Sequence, residues 1–118
     1  MVSPENMIKK ILNKCSTEVK DIVSRRDYYE NQTRGVRSIL CKAKKRLISQ
    51  FKNYEWIIGE NIELTFDTLD NKGVYDNVWL DIKLKIVDEV IASLEFQIMN
   101  MFYETDDESE CDSDSDDE

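Results

Sequence analysis

The 118-residue sequence has no histidine, a single proline, three glycines and three cysteines, and each scarcity excludes something. Without histidine, a serine or cysteine nucleophile loses its usual general base. Loops that cradle phosphates or dinucleotides need glycines at fixed spacing, and neither GxxxxGKS/T nor GxGxxG occurs. The carboxylate pairs fall on faces read as solvated or in the C-terminal run, where nothing would shift a pKa. Cys15, Cys41 and Cys111 make no CxxC and have no imidazole to complete a zinc site. The chain is therefore expected not to be an enzyme, and to hold no cofactor and no metal.

Few glycines and prolines also leave few built-in turns, which argues against a sandwich or barrel and for long helices. No stretch approaches the roughly eighteen consecutive apolar residues that a membrane span requires. The opening MVSPENMIKK has no apolar signal core. An intracellular protein with reduced thiols and no membrane association is the expectation. The sequon Asn31-Gln32-Thr33 is then a chance match.

What the chain does have is apolar periodicity. Ser3-Pro4-Glu5 predicts a helix start: a hydroxyl cap, proline in the first turn, and a carboxylate at the positive end of the dipole. Ile8, Ile11, Leu12, Cys15, Val19, Ile22 and Val23 follow at spacings of three and four. Asn31 to Gly35 reads as punctuation, although one helix running through to Lys52 is the rival reading. Val36, Ile39, Leu40, Ala43, Leu47, Ile48 and Phe51 form a second stripe, and Gly59 reads as a helix terminator. The longest periodic stretch lies between Asp76, taken as an N-cap, and Tyr103, with Lys83 and Gln97 intruding on its apolar face.

Two segments compete with this all-α reading. Ile62-Glu63-Leu64-Thr65-Phe66 alternates, as does Leu80 to Ile86, around a turn-like Asp70-Asn71-Lys72-Gly73. The expectation is a single all-α domain over residues 1–103, with three main helices at about 4–28, 34–53 and 76–103. A short β-hairpin near 62–82 is the alternative, and the stripes meet in one core or in a dimeric bundle. Residues 104–118 carry ten acidic side chains and no apolar period, so a disordered tail is expected there.

Charge is distributed unevenly. Residues 1–58 hold thirteen Lys and Arg against six Asp and Glu, whereas residues 59–118 hold three against nineteen. Such asymmetry bears on partners and association rates rather than on fold. Arg34, Arg37, Lys42, Lys44, Lys45, Arg46 and Lys52 could neutralise several phosphates, and Tyr28, Tyr29, Tyr54 and Trp56 stand near enough in sequence to stack on bases. A solvated helix face is the plainer reading of the same cations. Lys42-Ala43-Lys44-Lys45-Arg46 resembles a short basic nuclear-import motif. In the tail, Thr105, Ser109, Ser113 and Ser115 each have an acid three residues on, which resembles the pattern read by casein-kinase-2-type kinases.

These features point to a non-enzymatic interaction or regulatory subunit, nuclear rather than cytoplasmic. It would engage protein partners, basic proteins among them, through helical surfaces and charge. The first alternative is a nucleic-acid-binding accessory protein whose tail competes for its own basic face. The second is a structural assembly subunit, and homo-oligomerisation is compatible with all three.

Overall fold

The computed structural model describes residues 3–76 and 79–110, with side chains to Met101. Four α-helices and one 3-10 turn account for nearly all of them: α1 (Pro4–Ser24), α2 (Tyr29–Gln50), the 3-10 turn (Lys52–Tyr54), α3 (Glu55–Asn71) and α4 (Leu80–Glu110). The all-α class holds, but the helices number four rather than three, and the described residues contain no strand.

α1 starts as its sequence dictates. Ser3 Oγ accepts from the Asn6 amide at 3.2 Å, Pro4 stands in the first turn, and Glu5 faces the dipole's positive end. The helix stops at Ser24, four residues before the expected 28, because Arg25 turns extended. Asp27 then organises the restart. Its Oδ1 accepts from the Tyr28 amide at 2.8 Å and from Asn31 Nδ2 at 2.9 Å, which holds the carboxyl below its usual pKa.

Because α2 begins at Tyr29, the polar run taken as punctuation lies inside a helix. Gln32 is buried, and its Nε2 donates to the Arg25 carbonyl at 2.7 Å, tying the loop to the helix that follows it. Gly35 packs under α1: a Cβ there would lie 3.2 Å from Ile22 Cδ1. Its role is close approach, not termination.

The hairpin expected near 62–82 is replaced by α3. Ile58, Ile62, Thr65 and Leu69 are buried at intervals of four, three and four, a helical period, while Leu64 of the apparent alternation is exposed. Thr65 disguised the stripe. Its hydroxyl donates to the Asn61 carbonyl at 2.8 Å, which satisfies the buried polar group inside the helix. Gly59, expected to end the preceding helix, is an interior residue of α3.

The true stop is Gly73, whose φ of 75° is left-handed. There the Gly73 amide donates to the Asp70 carbonyl and the Val74 amide to the Leu69 carbonyl. Val74 is carried straight back into the core. Asp76 therefore closes a turn through its own amide instead of capping a helix, and α4 starts at Leu80 rather than 76. Lys83, the intruder on its apolar face, sends Nζ to the Val23 carbonyl at 3.4 Å. Its stem is partly covered while the ammonium meets the negative end of α1.

Each helix packs on two neighbours in the order α1–α2–α3–α4–α1, and among the described residues none packs directly across a diagonal. Long-range pairs show that neighbours run antiparallel: Lys20 with Asp88, Lys83 with Val23, and Tyr29 with Asp70. This is an up-down four-helix bundle around a single core in which Leu12, Leu40, Leu47, Ile58, Leu69 and Ile98 are fully buried. α4 is helical through Glu110, which includes the first part of the expected tail; residues 111–118 lie outside the described residues.

Candidate anion-binding face

α2 is a helix whose apolar side is fixed by Val36, Leu40, Ala43 and Leu47, so its cations are forced outward in three directions. Arg37 turns toward α3, where its guanidinium lies 3.9 Å from the Phe66 ring centroid and 3.5 Å from Glu63 Oε2. Lys44 borders the α2–α3 groove beside Trp56, Glu60 and Glu63. Arg34 is simply exposed, and Lys52 sits on the 3-10 turn past the end of α2.

Lys42, Lys45 and Arg46 instead turn toward α1, which answers with Lys10 and Lys14. Two adjoining depressions hold these five side chains. The larger, about 540 Å³, is lined by Met7 and Ile11 beneath Lys10, Lys14, Lys45 and Arg46. The smaller, about 140 Å³, shares Ile11, Lys14 and Arg46 and adds Cys15, Glu18 and Lys42. Together they form one trough with an apolar floor and a cationic rim. None of the five cations has a carboxylate within 4.0 Å among the described residues, and Glu18 is the one acid lining the trough.

Sequence reasoning found the α2 half of this face and missed Lys10 and Lys14. Their four-residue spacing puts them on one flank of α1, but only the antiparallel register brings that flank to Arg46. Three of the four aromatics do not join them, and Tyr54 is partly buried against the core on the 3-10 turn. Tyr28 and Tyr29 lie at the opposite end of the bundle, and Trp56 faces the α2–α3 groove. Cys15 supplies no nucleophile either, since burial, reinforced by Glu18, pushes its thiol up to about 12.

Of the phosphorylation candidates, Thr105 and Ser109 fall on the backbone of the last turns of α4, and Ser113 and Ser115 lie outside the described residues. No three Cys, Asp or Glu side chains gather as a metal site among the described residues, and no described helix is long and apolar enough to cross a membrane. No family model, curated protein or solved structure matches the chain.

Proposed function

We propose that this protein is a non-enzymatic interaction subunit whose α1–α2 trough captures an acidic, partly apolar segment of a protein partner. The observation that carries the reading is the convergence of Lys10, Lys14, Lys42, Lys45 and Arg46 on one groove with no ion-pair partner among the described residues. Cations left unpaired around Met7 and Ile11 suit a ligand that brings both carboxylates and an apolar side chain. The same cations support the second reading, binding of nucleic-acid phosphates, although Tyr28, Tyr29 and Trp56 lie away from the trough and cannot stack on bases held there.

In either reading the acidic residues of 104–118 act as a competitor for the trough, and phosphate on Thr105, Ser109, Ser113 or Ser115 strengthens that competition. The tail also offers a surface for basic partners. Nuclear import through Lys42–Arg46 belongs to the same proposal.

Fluorescence anisotropy across a salt series tests it, with a labelled peptide of alternating Glu and Leu set beside labelled duplex DNA and single-stranded RNA. The peptide is expected to bind the full chain more tightly than either nucleic acid. Lys14→Glu/Arg46→Glu is expected to lose roughly tenfold or more in affinity, and deletion of 104–118 to strengthen binding. Tighter binding of DNA or RNA at equal ionic strength would favour the second reading. Binding of none of the probes returns the protein to a structural subunit whose charges only keep it soluble.

A further inference from the structure

The flank formed by α2 and α3 carries two strips of opposite charge, side by side. Arg34, Arg37 and Lys44, three and seven residues apart, line its α2 side. Glu60, Glu63 and Asp67 follow one another along α3 at spacings of three and four. Between the strips runs a groove of about 590 Å³, bordered by Lys44, Ile48, Trp56, Gly59, Glu60 and Glu63. We infer that this flank binds a second copy of the chain, related by a two-fold axis parallel to the helices, so that α2 of each copy lies on α3 of the other.

Charge selects the occupant. A nucleic acid or an acidic peptide laid along α2 would meet the carboxylates of α3, and a basic segment laid along α3 would meet the cations of α2. Half a revolution about the bundle axis exchanges the two strips, so the chain itself carries the complement of this flank. The register supplies the pairs. Arg37 meets Glu63 at 3.5 Å, so one turn away on these antiparallel helices Arg34 stands level with Phe66 and Asp67. The two-fold axis preserves height along the bundle, and Arg34 of one copy therefore faces Asp67 of the other. Both side chains are exposed, and neither has an ion pair among the described residues.

The apolar part of the flank agrees. Trp56 is 76% exposed beside a half-buried Ile48. Gly59 lies inside α3, where glycine weakens a helix, and no atom of the described residues comes within 4 Å of the place its Cβ would take. Packing within one chain gives that glycine no purpose. In the pair, the open floor at Gly59 and Ile48 receives Trp56 of the other copy. By the same register Trp56 is level with Lys44, whose ammonium can sit over the ring. A flank two helices wide and about 25 Å long buries about 500 Å² per copy, the low end for a specific pair, so the dimer should form at micromolar concentration. This flank is distinct from the α1–α2 trough, and the inference does not rest on the ligand proposed there.

Sedimentation equilibrium of the full chain over about 1–300 μM at low salt tests the inference. Wild type should pass from one chain to two and stop there. Trp56→Ala should weaken the association roughly tenfold or more. Arg34→Glu sets acid against acid at both contacts and Asp67→Arg sets cation against cation, so each variant alone should lose a similar factor. Their equimolar mixture should recover the dimer, because every contact of the mixed pair then joins an acid to a cation. The trough variant Lys14→Glu/Arg46→Glu should dimerise as wild type does. The substituted residues of the flank are exposed, and helical circular dichroism checks that each variant folds.

A wild type that stays monomeric throughout the range would overturn the proposal and leave the flank to a different protein. Growth past two chains would overturn the two-fold arrangement in favour of head-to-tail contact. A mixture that associates no better than its components, or an association lost only in the trough variant, would equally remove this flank as the interface.

Discussion

The α1–α2 pair and the α3–α4 pair are built alike and charged oppositely. Residues 4–50 carry twelve Lys and Arg against five Asp and Glu, and residues 51–110 carry four against fifteen. They also differ in how closely their chains are drawn in. A four-residue loop, 25–28, joins α1 to α2, and Gly35 admits Ile22 to a distance that a larger residue would contest. The link from α3 to α4 spans 72–79, and in α3 the space around Gly59 is empty to 4 Å. Two ion pairs that join different helices, Lys20–Asp88 and Arg37–Glu63, both cross from the basic pair to the acidic pair. Opposite charges thus meet at the seams, and the cations left over accumulate on the outer face of α1 and α2.

If the two pairs share one core, damage to either must unfold both. Leu12 in α1 and Leu69 in α3 are each fully buried, so Leu12→Ala and Leu69→Ala should each lose about 2–5 kcal/mol of stability. Urea melts followed by circular dichroism should show a single transition in both variants. A second transition in either one would mean that the pairs are separate units.

Alkali should also weaken the fold from the basic pair's side, above pH 9, through Cys15. Its folded pKa is raised from 9.0 to about 12, so above pH 9 the unfolded chain releases a proton that the folded chain retains. Stability falls as pH rises through that window, by roughly 1 kcal/mol at pH 10. Cys15→Ala should flatten this part of the pH–stability curve relative to wild type. In the native protein Cys15 should also resist iodoacetamide at pH 8 until urea unfolds the chain.

The two helical glycines sharpen the contrast in closeness. Gly59→Ala adds a methyl to open space and should stabilise α3 by about 0.5–1 kcal/mol. Gly35→Ala gains the same helix propensity but must displace Ile22, so its melting temperature should rise less or fall. Equal gains at both sites would show that the α1–α2 contact has slack.

The seam pairs give the smallest effect. Both are well exposed, so Asp88→Asn and Glu63→Gln should each cost no more than about 0.2–1 kcal/mol at low salt. The difference should vanish at about 1 M NaCl, where screening acts within a few ångströms. A salt-independent loss would mean that the pairs fix helix register rather than merely attract.

Where the sequence alone sufficed, the information was local. Ser3-Pro4 announced α1, and Ile8, Leu12, Cys15, Val19 and Val23 lie buried as their spacing implied. Where it failed, the deciding contact came from elsewhere in the chain. Gln32 looks like loop material until the Arg25 carbonyl gives its amide a partner, and Lys83 looks misplaced until α1 ends beneath it. Thr65 interrupts an apolar stripe because a hydroxyl that bonds within its own helix is as buriable as a methyl. The candidate face followed the same division. Lys42, Lys45 and Arg46 were visible as a run, but Arg37 was already committed to Glu63 and Phe66, and Lys10 and Lys14 arrive only through the register of α1 on α2.

The antiparallel ring has an electrical consequence. Every helix lies beside two of opposite direction, so the peptide dipoles cancel along the bundle axis. The side chains divide their signs between the α1–α2 and α3–α4 pairs, so the field across the flanks comes from side chains alone. A polyanion approaching from solution would be drawn to the α1–α2 flank, and the encounter rate should fall steeply with ionic strength well before any contact forms.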